Sequence, residues 1–325
     1  MKQILFLAIA VSFFTSSGFA QLKMIEGKKP SKGPCTTLVN DLMNRAVTDT
    51  SPGRAVADDY KTWENGSVIL VKFMNNVGSP ALRERIMRYA REWEQYANIT
   101  FRFVPDNTPV TNVRVKLGSR LDSLGHNSSV GIDCNNAPQY RQTLNLDTSD
   151  FLDYKYYEND LKTGGAFYQY LVKNGTDMSH YTYKRFYYDI LFYADPNTHF
   201  VERYLKGTTL HEFGHALGLL HEQSYPGAIN WNRDTIYQYY ARFGWDKEKT
   251  DFNVLEESEQ FFTNGTSYDP RSIMHYPVYA WQTLDGFTVD ENNELSDGDK
   301  RIIAALYPRN QKVSSLAVPK VIISN

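Results

Sequence analysis

Cysteine is scarce: the 325-residue chain has two, Cys35 and Cys134. A disulfide framework of the kind that staples small exported domains is excluded, so a chain that is 42% hydrophobic must be held by its core, aided by any metal it binds. Charge of one sign is missing as well. Lys and Arg number 35 against 37 Asp and Glu, a formal net charge of −2, which provides no basic footprint for nucleic acid or an anionic membrane surface. Past the first twenty residues no apolar run is long enough to span a bilayer, so no membrane anchor is expected, and no internal repeat is visible.

The first twenty residues, MKQILFLAIAVSFFTSSGFA, join Lys2 to an apolar run from Ile4 to Phe14 and small residues Gly18 and Ala20. This is the profile of a secretory signal cleaved before Gln21, and it predicts an exported, extracellular protein. Residues 21–54 are polar and broken by Lys, Gly, Pro and Ser, without the periodicity of an independent core, and read as a propeptide ending near Arg54. A single domain is expected over 55–308, with a tail of uncertain structure at 309–325.

SVILVKF reads as a buried strand. In SPALRERIMRYAREWEQYAN, Ser79 can cap, Pro80 suits the first turn, and Leu82, Ile86, Tyr89, Trp93 and Ala97 recur at three- and four-residue steps, predicting an amphipathic helix on a sheet. Short strands at NITFRFV, NVRVKLG, SSVGI and QTLNL complete an α+β expectation. Residues 150–200 hold ten of the 23 tyrosines and form an insertion whose aromatics read as core in preference to a binding surface. Five N-x-S/T sequons, at Asn65, Asn98, Asn127, Asn174 and Asn264, mark expected tolerant surface.

Three of the seven histidines fall in TTLHEFGHALGLLHEQ, residues 208–223. A helix from about Glu202 to Leu217 places His211 and His215 on one face a turn apart. Gly218 can end that helix in a left-handed conformation, so that His221 returns toward the same point. Three imidazoles around one ion leave a position for water, the arrangement of a catalytic zinc site, and Glu212 beside the first ligand is placed to act as base. A bare H-E-x-x-H is only suggestive, whereas the elongated H-E-x-x-H-x-x-G-x-x-H fixes five positions.

HEFGHALGLLHE resembles the zinc motif of the metzincin peptidases, and Glu222 after the third histidine is similar to the astacin branch. RSIMHYP at 271–277 resembles the astacin Met-turn. AVADDYKTWENGSV, NITFRFVP, SSVG and NELSDGDKRIIAALYP extend the likeness over most of 55–308. The resemblance implies an α+β, astacin-like zinc endopeptidase: a twisted N-terminal mixed sheet, two long helices and an irregular C-terminal subdomain. It implies one catalytic Zn2+ held by His211, His215 and His221, Glu212 as base, Met274 as hydrophobic floor and Tyr276 as oxyanion stabiliser. It implies polypeptide substrates bound antiparallel to an edge strand near Ser128–Ile132, with extracellular matrix proteins as candidates by analogy. Glu222 is then a partner for a mature N-terminus at Ala55, against its plainer reading as a surface charge.

The chain departs from the family in three places. The usual disulfides of animal members cannot form, which suggests a bacterial type. SYPGAINWNRD replaces an expected Arg-x-Asp-Arg, leaving Arg233 and Asp234 displaced. The tyrosine-rich insertion replaces a short link. The propeptide also lacks the family's inhibitory F-x-G-D motif but contains KGPCTTL. A thiolate binds zinc at about 2.3 Å, so Cys35 could hold the fourth position in a latent proenzyme, which resembles the cysteine switch of a bacterial family member. A Cys35–Cys134 disulfide or an idle thiol are the other readings. Two rival functions are a zinc-binding adhesion module without catalysis and a cell-wall peptide amidase.

Overall fold

The computed structural model describes residues 36–38, 61–74, 78–118, 125–148, 151–182, 185–186, 189–190, 193, 201–257 and 267–309. The expected signal segment, Cys35, the Arg54–Ala55 boundary, Asn264 and the tail beyond 309 lie outside the described residues.

A six-stranded sheet is built from β1 (Thr36–Leu38), β2 (Val68–Phe73), β3 (Thr100–Phe103), β4 (Val113–Gly118), β5 (Asn127–Ser129) and β6 (Leu144–Asp147), in the order β1-β5-β6-β4-β2-β3. Every pairing is parallel except β5 with β6, so the sheet is mixed. Ile69 and Val71 of β2, Val113 and Val115 of β4, and Leu144 and Leu146 of β6 are almost fully buried, as strands covered by helices require.

The helix expected over 79–98 starts as predicted. Ser79 accepts from the Leu82 amide at 3.2 Å and Pro80 takes the first position of α1 (Pro80–Ala90). It ends at Ala90, and Trp93–Gln95 form a 3-10 turn. The expected apolar face survives this break because the tighter turn also repeats about every three residues. Leu82, Ile86, Tyr89, Trp93 and Ala97 all join the main core, where fully burying a leucine or isoleucine is worth roughly 1.5–3 kcal/mol.

The tyrosine-rich insertion folds as α2 (Tyr154–Thr163) and α3 (Ala166–Lys173), turned by the left-handed Gly164. Leu152, Tyr157, Phe167, Leu171, Phe186 and Ile190 form a separate small core, with the Tyr157 and Phe167 rings edge to face at 5.2 Å. The aromatics therefore serve packing. α4 (Glu202–Ala216) crosses beneath the sheet, followed by α5 (Arg233–Ala241), a helical turn at Lys247–Thr250 running into a π-helical turn at Asp251–Leu255, and α6 (Asp297–Leu306).

Two expectations need correction. The cleft strand near Ser128–Ile132 is shorter: it spans Asn127–Ser129 and Gly131–Asn135 is a 3-10 turn; in the untrimmed chain β1, from the segment read as propeptide, pairs parallel on its outer side. Asn127 lies within that strand at 2% exposure, which removes it from the tolerant surface, whereas Asn65 and Asn174 are exposed. No helix among the described residues is long and apolar enough to cross a membrane.

Candidate metal centre

α4 is buried along nearly its whole length, so neighbouring elements fix its backbone. The Trp63 indole donates to the Ala216 carbonyl at 2.7 Å, the Trp93 indole to Leu210 at 3.0 Å, and the Tyr307 hydroxyl to Leu217 at 2.6 Å. The last two contacts tie the helix to the segment after α1 and to the end of α6. The helix stops in a Schellman arrangement: Leu219 N–H donates to Gly214 O at 3.0 Å and Gly218 N–H to His215 O at 2.8 Å. Gly218 has φ of +101°, a conformation that side-chain-bearing residues rarely adopt. The chain reverses there, and the Leu219 carbonyl turns back to accept from His215 Nδ1 at 2.8 Å.

This reversal brings the three histidines together. One nitrogen from each of His211, His215 and His221 lies within 4.8 Å of the others, and all three residues are buried. Among the described residues this is the one group of metal-ligating side chains so arranged. His211 Nδ1 donates to the Ile273 carbonyl at 2.7 Å, and the His221 ring lies beside the Asn253 backbone. With Nδ1 of His211 and His215 committed to carbonyls, their Nε2 lone pairs are left for a ligand. Burial lowers the His215 pKa to about 4 and, with the neighbouring histidines, lowers that of His221 well below its usual value. Both are thus neutral at pH 7, the form that ligates metal.

Three neutral imidazoles are a donor set that suits zinc, and one pair already stands at its spacing. Tetrahedral Zn–N bonds of about 2.0–2.1 Å set neighbouring nitrogens roughly 3.3 Å apart, and Nε2 of His215 and His221 stand 3.0 Å apart. Glu212 follows the first ligand on α4 and is fully buried.

Below the histidines the chain turns tightly at Ser272–Tyr276. Met274 is 1% exposed, and its Sδ would lie 2.5 Å from a Cβ added at Gly214, so a side chain there would displace the sulfur from under the helix. The Tyr276 ring centroid sits 4.5 Å from that of His221 and 5.9 Å from that of His211. Its backbone is held on both sides: Tyr276 N–H donates to Gln223 Oε1 at 3.1 Å, and Tyr276 O accepts from His275 Nδ1 at 2.6 Å. His275, kept neutral by burial, accepts the Tyr268 hydroxyl on Nε2 at 2.7 Å.

Glu222 is buried at 2% exposure, which rules out a plain surface charge. Burial pushes its carboxyl up to about 8, although it accepts the Asp269 amide at 2.8 Å; Asp299 and Asp269 nearby add to the rise. Cys134, in the main core, has no disulfide partner among the described residues, and burial pushes its thiol up to about 12. The displaced Arg233 opens α5 and pairs with Asp251 at 3.4 Å.

Gln223, Asn253, Ser272, His275 and Asp299 support this centre without having been singled out in the sequence. Gln223, Asn253, Ser272 and Asp299 act through contacts across 26 to 53 residues that no local spacing announces, and His275 acts on its neighbours Tyr276 and Tyr268. Only the Ser296–Asp299 capping box at the start of α6 was readable, and it says nothing of Asp299's second role on the Met-turn.

The family model described as Astacin, a peptidase family, matches residues 202–301, the span that holds the three histidines and the Met-turn. A curated relative, "Zinc metalloproteinase nas-36" of Caenorhabditis elegans, is 37% identical over 91 residues, which are 27% of this chain and 12% of that protein. The chain thus spans a small part of the curated relatives it matches. A solved structure titled "Structure of myroilysin" superposes with a TM-score of 0.57 at 29% identity, covering 78% of this chain and 99% of that one. A second, "Crystal structure of myroilysin", gives 0.51 at 28% identity over 87% and 93%. The α+β fold is of the astacin-like kind, and the likeness read from the motif holds.

Proposed function

We propose that this chain, astacin-like over residues 202–301 and similar in fold to myroilysin, is a zinc-dependent endopeptidase, exported and made as a latent proenzyme. One observation carries the reading: three buried imidazole nitrogens converge within 4.8 Å, with the Glu212 carboxyl one residue from the first ligand and the Tyr276 ring 4.5 Å from the third. His211, His215 and His221 hold the ion. Bound there, zinc would lower the pKa of a water to about 7 and polarise the scissile carbonyl. Glu212 takes the proton of the attacking water and delivers it to the departing amine. The Tyr276 hydroxyl donates to the carbonyl oxygen as negative charge grows there. Met274 and Gly214 keep the floor flat and dry beneath the ligands.

Latency rests on residues 21–54. β1 runs parallel along β5, the strand against which an extended substrate would lie antiparallel, so this segment must leave before a polypeptide can pair there. Cys35 immediately precedes β1 in sequence, which supports its role as the zinc-blocking thiolate, and the buried core position of Cys134 supports that reading over a disulfide between the two. Trimming near Arg54–Ala55 frees an ammonium, for which Glu222 is the partner: a buried carboxyl pushed up to about 8 gains most from an added cation. Substrates are polypeptides, with matrix proteins the ones an exported enzyme would meet.

The test is cleavage of unfolded casein by protein trimmed at Arg54. Hydrolysis that stops with a chelator, returns with zinc and is lost in Glu212→Gln supports the reading. A trimmed protein that binds zinc stoichiometrically yet leaves casein intact overturns it in favour of a non-catalytic module, and one that cleaves only cell-wall peptides makes it an amidase.

A further inference from the structure

Gln223 occupies the turn directly after the last histidine and the buried glutamate, at 2% exposure. Its two amide atoms are both used. Oε1 accepts the backbone N–H of Tyr276 at 3.1 Å, and Nε2 donates to the backbone carbonyl of Asn253 at 3.2 Å. The partners dictate the orientation: a backbone N–H needs an acceptor and a carbonyl needs a donor, so only one of the two flips satisfies both.

Asn253 sits in the middle of the π-helical turn Asp251–Leu255, closed by Glu256 N–H on Asp251 O at 2.7 Å. Such turns widen the backbone locally and recur at functional sites. Asn253 is itself 3% exposed, and its side chain donates to the Lys249 carbonyl at 2.9 Å, which holds the turn in shape. The Asn253 backbone also lies beside the His221 ring, on the side that favours a ring N–H. One planar amide therefore links the turn beside the third metal ligand to the backbone of the tyrosine whose tilted ring lies 4.5 Å from that ligand.

We infer that Gln223 is a positioning residue that keeps His221 and Tyr276 in register, fixing the ligand through Asn253 and the oxyanion donor through the Tyr276 amide. The inference rests on the peptidase reading for Tyr276 but not for His221. A rigid amide cannot lengthen, so a shift of the π-turn reaches the Met-turn and the reverse. Glutamate at this position keeps an acceptor for Tyr276 N–H but opposes a carboxylate to the Asn253 carbonyl, and leucine removes both arms.

The experiment compares trimmed wild type, Gln223→Leu, Gln223→Glu and Tyr276→Phe, alone and combined. Outer-shell partners of metal ligands typically contribute about tenfold to a hundredfold in affinity or activity. Gln223→Leu is expected to weaken zinc by about that factor in chelator competition, to alter the visible spectrum of the cobalt-substituted protein, and to lower kcat while KM stays within about twofold. Its effect on kcat should shrink in the Tyr276→Phe background, since the two act on one donor. Gln223→Glu should weaken zinc as leucine does while keeping more of kcat. Wild-type zinc affinity and an unchanged cobalt spectrum in both variants overturn the inference, as does strict additivity with Tyr276→Phe. If the leucine variant does not fold, the near-isosteric glutamate variant decides. A wild type that binds zinc but cleaves nothing overturns the peptidase reading alone, and the affinity and cobalt measurements then decide this one.

Discussion

Asp299 accepts the backbone N–H of Ile273 at 2.8 Å, and the carbonyl of that same Ile273 accepts from the His211 ring at 2.7 Å. The first metal ligand is thus oriented from α6 across the Met-turn. The other Asp299 oxygen accepts the Ser272 hydroxyl at 2.6 Å, and Oδ2 also takes the Ser296 amide at 2.8 Å. Asp299→Ala leaves two buried donors, Ser272 and Ile273, and the part-buried Ser296 amide without this acceptor; at about 1–3 kcal/mol for each buried donor, a loss on the order of 3 kcal/mol is expected in denaturant unfolding. Zinc affinity should fall with it, measured by chelator competition.

The same carboxylate makes a pH prediction. Burial raises its folded-state pKa above the ordinary value of 3.8. Between the two values the folded protein holds a proton that the unfolded chain releases, so this group's contribution to stability is full below about pH 4 and declines as pH rises through the folded pKa. Asp299→Asn does not titrate, so the stability difference between wild type and this variant should shift against wild type over that acid window. A difference independent of pH there would show that Asp299 carries no raised pKa.

Gly214 lies where α4 rests on the Met-turn. A Cβ there would meet Met274 Sδ at 2.5 Å and the Trp93 ring at 3.2 Å. Gly214→Ala should destabilise by about 1–3 kcal/mol through overpacking. Met274→Ala should relieve part of that cost, so the double variant should be more stable than the sum of the singles implies. Additive losses in urea unfolding would mean that the sulfur is not what the methyl group strikes.

Much of this centre was legible because it is local. His211 and His215 are one helical turn apart, Gly218 follows within three residues, and Glu212 adjoins the first ligand, so helical periodicity and a glycine bend suffice to bring them together. The α1 face was legible for the same reason, although its break at Arg91 was not, because a 3-10 turn preserves the apolar spacing that a helix shows. The bonds that orient the rings were hidden. His211 reaches Ile273 across 62 residues and Tyr276 reaches Gln223 across 53, and neither link leaves a pattern in the sequence. β5 is three residues long, too short for alternation to mark its ends, and a segment from far upstream covers its outer side.

Tyr276 makes the most direct catalytic prediction. Its ring lies against His221, and its backbone is clamped by Gln223 and His275. Removing one oxyanion donor commonly costs about a hundredfold to a thousandfold in kcat. Tyr276→Phe keeps the ring in its buried cluster with Ile236, Tyr240 and Trp245, so folding and zinc content should match wild type while kcat falls by that factor. Loss of zinc in this variant would assign the hydroxyl to metal binding, and an unchanged kcat would remove it from the reaction.

The proposed latency of the untrimmed chain can be tested at two points, Cys35 and the pairing of Thr36–Leu38 with Asn127–Ser129. If the thiol of Cys35 alone blocks the ion, Cys35→Ser should release activity in the untrimmed protein while β1 stays paired. If occupancy of β5 matters as well, Thr37→Pro should act too, because proline supplies no N–H and its ring disrupts a ladder of only three residues. Peptide hydrolysis by the untrimmed variants, set against protein trimmed at Arg54, reads both effects. Partial release by each single change and full release by the two together is the expected outcome, since a three-residue strand is too short to hold the segment without a second anchor and a lone thiolate gains from a chain already laid along the cleft. Untrimmed variants that stay as silent as the parent would place the block elsewhere in residues 21–54.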